Sequence, residues 1–303
     1  MVDDAPVRTV TVIEAPTSAG GYAPGQEDGP RALLEAGLVE RLEAAGLAVK
    51  RAGQVTPFRW RPDLDNPRAA NAGAVIDRAR QVAALVRSAP AEDTIVVLGG
   101  DCTVGVGTVA GLRERVARLG VVYVDRHADL NVPESTVDGA LDWMGVAHML
   151  DIDGAVDGFA ALAGHRPMLS SGQISFLGLG PHIDFEAEVI SARRLPVVGV
   201  QMAASDPLRS VRTALSPLSA CDALAVHFDV DLVDFLDAPL AENTDRGSAP
   251  SLTACGEILS ELLADTRVCA LTVTEFNPHH GSKDGSTTQR LLEILISSLE
   301  SAQ

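Results

Sequence analysis

The sequence predicts an α/β fold with three layers, in which a mostly parallel central sheet lies between two layers of helices. Short apolar stretches rich in valine alternate along the chain with longer stretches whose apolar residues recur at helical spacing. The apolar stretches are nearly continuous, which is typical of strands buried on both faces of a parallel sheet. The composition agrees, because 303 residues of which 46% are hydrophobic and 21% are charged can form one large core.

Strand patterns recur along the whole chain. The predicted strands cover residues 8–13, 47–51, 94–98, 121–125, 173–179, 196–200, 224–229 and 268–275. Ligand sites in parallel sheets lie at the carboxyl ends of the strands. The residues that directly follow each strand are therefore the first candidates for a functional site.

Helical patterns separate many of these strands. The predicted helices cover residues 30–42, 69–87, 104–118, 253–263 and 287–299. Pro30 suits the first turn of the first helix, where a backbone N–H has no partner within the helix. The sequence contains no internal repeat, low-complexity run or linker, so we predict one domain over residues 1–303.

Charge and composition exclude several classes of partner. The net charge of −17 argues against binding to nucleic acid or to an anionic membrane surface. No stretch reaches the roughly 18 uninterrupted apolar residues of a membrane span. The chain begins with Met-Val-Asp-Asp and lacks the apolar segment of a secretory signal, which predicts a cytoplasmic protein. The cysteines have no CxxC spacing and fit a reduced compartment; they are Cys102, Cys221, Cys255 and Cys269.

The strongest signal for a metal site follows the predicted strand 121–125. Asp125, His127 and Asp129 occur at a spacing of two residues, so their side chains point the same way if the strand geometry continues. Two carboxylates and an imidazole at one point repel each other and lose hydration unless a cation binds there. A divalent metal is the simplest explanation.

A second acidic pair follows the predicted strand 224–229. Asp229 and Asp231 also have a spacing of two residues, and with the first cluster they would form a dinuclear site with bridging carboxylates. The alternative is that these residues only cap the helices that follow. Capping explains one Asp per turn, but not three acids or imidazoles within five residues, so we favour the metal site.

These motifs resemble those of the ureohydrolase superfamily, which contains arginases, agmatinases and formimidoylglutamases. Asp-x-His-x-Asp at 125–129 and Phe-Asp-x-Asp at 228–231 carry the resemblance, together with Glu-Phe-Asn-Pro at 275–278 after the last strand. The resemblance implies an arginase-like fold and a hydrolase of guanidino or amidino groups in linear amidines. It also implies one or two Mn²⁺ per chain, a small guanidino substrate and a homo-oligomer, either a trimer or a hexamer.

One ligand of the family pattern is replaced. Residues 99–102 read Gly-Gly-Asp-Cys, where the family has Gly-Gly-Asp-His, so Cys102 stands in the place of a metal-binding histidine. A thiolate matches Mn²⁺ poorly but is accepted by Zn²⁺ or Fe²⁺, so other divalent metals enter consideration. Cys102 is either a ligand or a small buried residue, and the sequence leaves both alternatives open.

The resemblance implies the rest of the ligand set. One metal position is complete, with Asp125, His127, Asp229 and Asp231 as ligands. The other position, formed by Asp125, Asp129 and Asp229, lacks its histidine. Asp129 is therefore both a candidate ligand and a candidate catalytic residue.

The resemblance also assigns substrate and proton-transfer positions. Asn131 lies where arginases use an Asn to bind the substrate carboxylate, and Asp138 replaces their substrate-binding Ser. Asp184 lies near the position that contacts the substrate amino group. Asp142 replaces the arginase histidine that is assigned to proton transfer, and an Asp can also serve as an acid or base.

Two further residues complete the predicted site. The resemblance implies that Glu275 pairs with the guanidinium group of the substrate and thereby contributes to catalysis. His227 lies two residues before Asp229 and shares its face of the strand. It is a candidate partner of the metal site, a replacement base, or a core histidine.

A subgroup that hydrolyses N-hydroxyarginine is similar in having Cys at the same position and no arginase proton-transfer histidine. Its Pro-Glu-Ser/Thr-Thr segment resembles residues 133–136 here, although Gly99 and Gly100 are less typical of it. A modified guanidine with a better leaving group needs less acid catalysis, which would fit this site. Two alternatives remain: a catalytically impaired member with a binding or regulatory role, and a metal hydrolase of another carbon–nitrogen bond.

Overall fold

The computed structural model describes residues 8–244 and 246–301, and within them eight strands form one fully parallel sheet. The strand order is β2-β1-β3-β8-β7-β4-β5-β6. The strands are β1 (Thr9–Glu14), β2 (Ala48–Gln54), β3 (Thr94–Leu98), β4 (Leu119–Val124), β5 (Ile174–Leu179), β6 (Val197–Gly199), β7 (Ala223–Asp229) and β8 (Val268–Thr274). The parallel sheet confirms the predicted α/β class.

Helices cover both faces of the sheet and complete the three layers. One hydrophobic core contains residues of α1 (Gly29–Glu35), α2 (Leu38–Ala44), α8 (Val200–Ser205), α9 (Pro207–Leu215), α10 (Leu252–Leu263) and α11 (Ser286–Glu300). The core on the other face contains residues of α3 (Ala72–Ser88), α4 (Thr103–Arg113), α5 (Gly145–Met149) and α6 (Asp157–Ala160), with α7 (Asp184–Arg193) packed against it. In the part of the chain that is described, no helix is both long and apolar enough to cross a membrane.

Strand β4 illustrates why the sheet is parallel and central. All six of its residues are buried, and successive side chains enter opposite cores. Val122 and Val124 pack into the first core, whereas Val121 and Tyr123 pack into the second. A strand that is apolar on both faces requires a helical layer on each side.

Two predicted helices have different bounds in the structure. The predicted helix 30–42 is two helices, because Gly37 adopts a left-handed conformation with φ of 95° and separates Glu35 from Leu38. The predicted helix 104–118 ends at Arg113. The guanidinium of Arg113 donates to the carbonyl oxygens of Val116 and Ala117, so these two carbonyl groups in the turn after the helix have hydrogen-bond partners.

Helices α3 and α4 approach closely because α4 carries glycine at the contact. A Cβ atom on Gly111 would lie 2.6 Å from the carbonyl oxygen of Ala83. We expect Gly111→Ala to lower the free energy of unfolding by about 1–3 kcal/mol, as overpacking does. The matched control is Gly73→Ala in α3, where nothing lies within 4 Å of the added Cβ and a small gain in stability is expected. Denaturant midpoints of the two variants should move in opposite directions, and equal shifts would contradict this account.

A buried histidine makes stability depend on pH. His148 Nδ1 lies 2.6 Å from the Met144 carbonyl oxygen, and its Nε2 accepts from the Val156 N–H, which suits a neutral ring. Burial lowers the pKa of His148 from 6.5 to about 4. The unfolded chain therefore takes up this proton first as pH falls below 6.5, so protonation favours unfolding.

We expect this residue to remove roughly 3 kcal/mol of stability between pH 7 and pH 4, since each pKa unit is worth about 1.4 kcal/mol. Urea unfolding curves at several pH values should show a flatter pH dependence for His148→Gln than for the wild type. His165→Gln is the matched control for the substitution itself, because it makes the same change at an exposed position. Equal slopes for His148→Gln and the wild type would contradict the prediction.

Candidate metal centre

The predicted metal ligands and Glu275 meet at the carboxyl ends of four neighbouring central strands. Strands β3, β8, β7 and β4 are adjacent in the sheet and contribute Cys102, Glu275, Asp229 and Asp125 at or just beyond their ends. The turn after β3 needs glycine, because a Cβ on Gly100 would lie 1.7 Å from the carbonyl oxygen of Thr17. The fold therefore brings together residues that are far apart in sequence.

One group of donors consists of Asp125, His127 and Asp231, whose ligand atoms lie within 4.8 Å of one another. His127 Nδ1 is 3.0 Å from Asp231 Oδ2 and 3.6 Å from Asp125 Oδ1. Among the described residues, neither Asp125 Oδ2 nor Asp231 Oδ1 has a hydrogen-bond partner, although both are buried. Buried carboxylate oxygens without donors fit a divalent cation.

Cys102 lies at the centre of a second group. Its thiol donates to Asp229 Oδ2 at 3.0 Å, and its sulfur is 3.4 Å from His227 Nε2 and 3.3 Å from Thr274 Oγ1. Ligand atoms of Cys102, Asp125 and His227 also lie within 4.8 Å of one another, as do those of Cys102, Asp229 and Glu275. The thiol thus faces carboxylates and an imidazole rather than an apolar core.

Burial dominates the electrostatics of the site. It raises the pKa values of Asp125, Asp229 and Glu275 well above their ordinary range, and neighbouring carboxylates raise them further. Burial lowers the pKa of His127, but Asp231 and other carboxylates outweigh this and raise it to about 10. The same negative field that favours a positive charge on His127 favours a bound cation.

Two site residues have unusual backbone conformations. Asp129 has φ of 48° and Glu275 has φ of 65°. Both values lie in the left-handed region of backbone conformations, which residues other than glycine rarely adopt. The hydroxyl of Tyr123 donates to Asp129 Oδ2, and burial raises the pKa of Asp129 to about 7. Strained backbone of this kind concentrates at functional sites because the surrounding structure enforces it.

A narrow pocket above the donors contains residues that the sequence did not reveal. Tyr22 and Trp143 stack with ring centroids 5.8 Å apart, and Trp143 also meets the ring of His127 edge to face. Asn243 Nδ2 lies 3.0 Å from His127 Nε2 and 3.4 Å from Asp231 Oδ2. The pocket is lined by Tyr22, Cys102, His127, Asp129, Asp142, Trp143, Asp229, Asp231, Glu242, Asn243 and Glu275.

Only some of the residues predicted to contact the substrate or to transfer a proton line the pocket. Asp142 and Glu275 line the pocket, whereas Asn131, Asp138 and Asp184 are not among the residues that line it. Asn131 Oδ1 accepts from the Ser135 hydroxyl, and Asp138 Oδ2 accepts from the indole N–H of Trp143 at 3.2 Å. Asp184 is exposed at the start of α7. The substrate-binding role of these three residues stays a prediction.

Residues 8–299 match the sequence profile of the Arginase family. The arginase of Agrobacterium fabrum is 31% identical over 310 residues, covering 97% of this chain and 91% of that protein. The crystal structure of arginase from Bacillus subtilis superposes with a TM-score of 0.86 at 25% identity, covering 96% of this chain and 98% of that one. Proclavaminate amidino hydrolase from Streptomyces clavuligerus shares the fold, with a TM-score of 0.72 at 19% identity over 98% of this chain and 93% of that one. The chain therefore belongs to the arginase family within the ureohydrolase superfamily, as the resemblance of its metal motifs predicted.

Proposed function

We propose that this protein is a metal-dependent hydrolase that cleaves a carbon–nitrogen bond in the guanidino or amidino group of a small linear substrate. The observation that carries the proposal is the charge of the pocket. Among the described residues, six carboxylates line it and no lysine or arginine does; they are Asp129, Asp142, Asp229, Asp231, Glu242 and Glu275. Asp129, Asp229 and Asp231 belong to the proposed metal ligands, so Glu242 and Glu275 are left to attract a cationic substrate.

The chain offers ligands for one or two divalent metals, which we propose to include Mn²⁺. Asp125, His127 and Asp231 would hold one ion, with Asp229 between the two positions and Cys102 and Asp129 beside the second. A divalent cation supplies a water nucleophile at neutral pH by lowering the pKa of the water. Metals other than Mn²⁺ remain candidates because a thiol belongs to the donor set.

Glu275 is the proposed anchor for the substrate cation, because a bound cation favours the ionised form of this carboxyl group and opposes the rise in pKa that burial causes. Its Oε1 accepts from the Cys102 N–H at 2.9 Å and its Oε2 accepts from Gln26 Nε2 at 3.0 Å. These two bonds fix the plane of the carboxylate at the edge of the pocket. A planar guanidinium can then pair with Glu275 while its face approaches the stacked Tyr22 and Trp143 rings.

Asp142 is the proposed proton donor to the leaving amine. It is buried, and burial followed by the charge of Glu275 raises its pKa well above the ordinary range. A raised pKa favours the protonated form of this carboxyl group, which is the form that acts as a general acid. His227 does not line the pocket, which makes it the weaker candidate for this step.

A modified guanidine suits a site without the arginase proton-transfer histidine. An N-hydroxyguanidine such as N-hydroxyarginine has a better leaving group and needs less help from an acid. We therefore include it with unmodified guanidines as a candidate substrate class. Asn131 and Asp138 lie in the loop next to the pocket and remain candidates for contacts with the rest of the substrate, as does Asp184.

The test combines metal content with a substrate panel. Protein purified without chelator and loaded with Mn²⁺ is incubated with arginine, N-hydroxyarginine, agmatine and guanidinobutyrate. Release of urea or hydroxyurea supports the proposal. Guanidine binding by calorimetry without any product would instead indicate the non-catalytic binding role, and neither binding nor product would contradict both.

We further propose a cytoplasmic homo-oligomer, either a trimer or a hexamer. The family resemblance supports the oligomer, and the four free cysteines, none of which forms a disulfide, support the reducing compartment. Light scattering on purified protein measures the mass directly. A monomer at micromolar concentration would contradict the oligomer.

A further inference from the structure

His227 brings an imidazole from another strand next to Cys102. Both side chains are buried, and Cys102 Sγ is 3.4 Å from His227 Nε2. The histidine comes from β7, whereas the cysteine precedes α4, so the contact joins residues that are 125 positions apart. Sequence motifs read one strand at a time cannot show this pair.

The ring of His227 is fixed in one orientation by its neighbours. It stacks on the ring of Tyr123 with centroids 4.2 Å apart and an interplanar angle of 1°. Its Nε2 lies 3.3 Å from Thr274 Oγ1 and faces the thiol of Cys102. Nε2 is therefore the ring nitrogen that contacts polar groups.

The opposite side of the ring lies against Gly105 in α4. A Cβ atom at position 105 would be 2.4 Å from His227 Nδ1 and 2.8 Å from its Cε1. Only glycine leaves room for the imidazole, and among the described residues Nδ1 has no hydrogen-bond partner. A buried polar atom without a partner is unfavourable, so a strong interaction of Nε2 would offset this penalty.

We propose that Cys102 and His227 together bind a metal, with Asp125 and Asp229 completing the ligand set, and that this position selects Zn²⁺ or another thiophilic ion over Mn²⁺. In tetrahedral zinc sites the sulfur and nitrogen ligands lie about 3.5 Å apart, given the usual zinc–ligand distances. The 3.4 Å between Sγ and Nε2 agrees with that separation. This inference rests on the metal centre proposed above but not on the guanidine substrate.

The two metal positions would then differ in chemistry. Asp125, His127 and Asp231 offer mainly oxygen donors, which suit Mn²⁺, whereas a thiolate with an imidazole suits Zn²⁺, Fe²⁺ or Co²⁺. On binding, the S–H bond of Cys102 breaks, the sulfur keeps the electron pair for the metal, and the proton leaves to buffer. Asp229, which now accepts that S–H, becomes free to act as a ligand.

Cobalt provides a readout that does not depend on activity. Metal-free protein is titrated with Co²⁺, and the near-ultraviolet spectrum is searched for a thiolate-to-cobalt charge-transfer band. We expect the band in the wild type, its loss in Cys102→Ser and its loss or shift in His227→Gln. The matched control is Cys255→Ser, because Cys255 is a buried free cysteine in α10 whose replacement should leave the band unchanged.

Zinc affinity and X-ray absorption give independent measurements. Competition with a chelator should show that His227→Gln binds zinc at least about 100-fold more weakly at the Cys102–His227 position. Even residues that only hydrogen-bond to metal ligands change metal affinity by about 10- to 100-fold. X-ray absorption of the zinc-loaded wild type should show sulfur and imidazole scattering, which tests the site even if a variant fails to fold.

The outcomes separate this inference from the proposed function. Cobalt binding without a charge-transfer band, or a band that His227→Gln leaves unchanged, would overturn the Cys102–His227 site while leaving the hydrolase proposal intact. A band that behaves as expected in a protein that hydrolyses no guanidine would support the site and overturn the function.

Discussion

Replacing Asp229 with asparagine is expected to abolish turnover and to weaken metal binding by at least about 100-fold. Asp229 is a candidate metal ligand, and even the loss of a residue that only hydrogen-bonds to a ligand weakens metal binding by about 10- to 100-fold. Asp229 is 2% exposed; its Oδ1 accepts from the Asp231 N–H at 2.7 Å and its Oδ2 from the Cys102 thiol at 3.0 Å. An amide keeps the shape but removes the negative charge, and one of its two atoms can no longer accept. Metal content per chain and product release measure the two effects separately.

The matched control for this change is Asp222→Asn. Asp222 is an exposed aspartate that pairs with Arg118 at the surface, and such solvent-screened pairs contribute little to stability. Its replacement should leave metal content and turnover unchanged. Turnover retained in Asp229→Asn at full metal content would contradict the assignment of the centre.

Glu275→Gln is expected to have the second large effect, a fall in kcat/KM of about 30- to 5000-fold with metal content preserved. The range corresponds to about 2–5 kcal/mol for removing one charge of a buried, hydrogen-bonded ion pair. The structure can accommodate the amide, because Gln26 Oε1 has no hydrogen-bond partner among the described residues and a flip of Gln26 would restore complementary bonds. Steady-state kinetics with a cationic guanidine, alongside metal analysis, test this expectation.

The control is Glu293→Gln on the exposed face of α11, which removes the same charge far from the pocket. Its kcat/KM should match that of the wild type. If Glu275→Gln lost metal and activity together, Glu275 would belong to the metal site rather than to the substrate contact. If it lost neither, the proposed pairing with the substrate cation would be wrong.

The sequence by itself determined the fold class and the main ligand candidates. Strands that are apolar on both faces require helices on both sides, so the three-layer arrangement follows from local patterns. Asp125, His127 and Asp231 follow strand ends at fixed spacing, and parallel strands bring their carboxyl ends to one edge of the sheet. These features depend on the spacing of residues within one segment, so they can be recognised from the sequence of that segment alone.

Only the tertiary structure decided which side chains meet across that edge. The sheet order sets β3 and β7 on either side of β8, which brings Cys102 to Asp229 and His227, and a loop beyond β7 brings Asn243 to His127. The stack of Tyr22 on Trp143 likewise joins two distant loops. No local pattern encodes such contacts, because strand order and loop packing are set by the burial of the whole chain rather than by the spacing of residues within one segment.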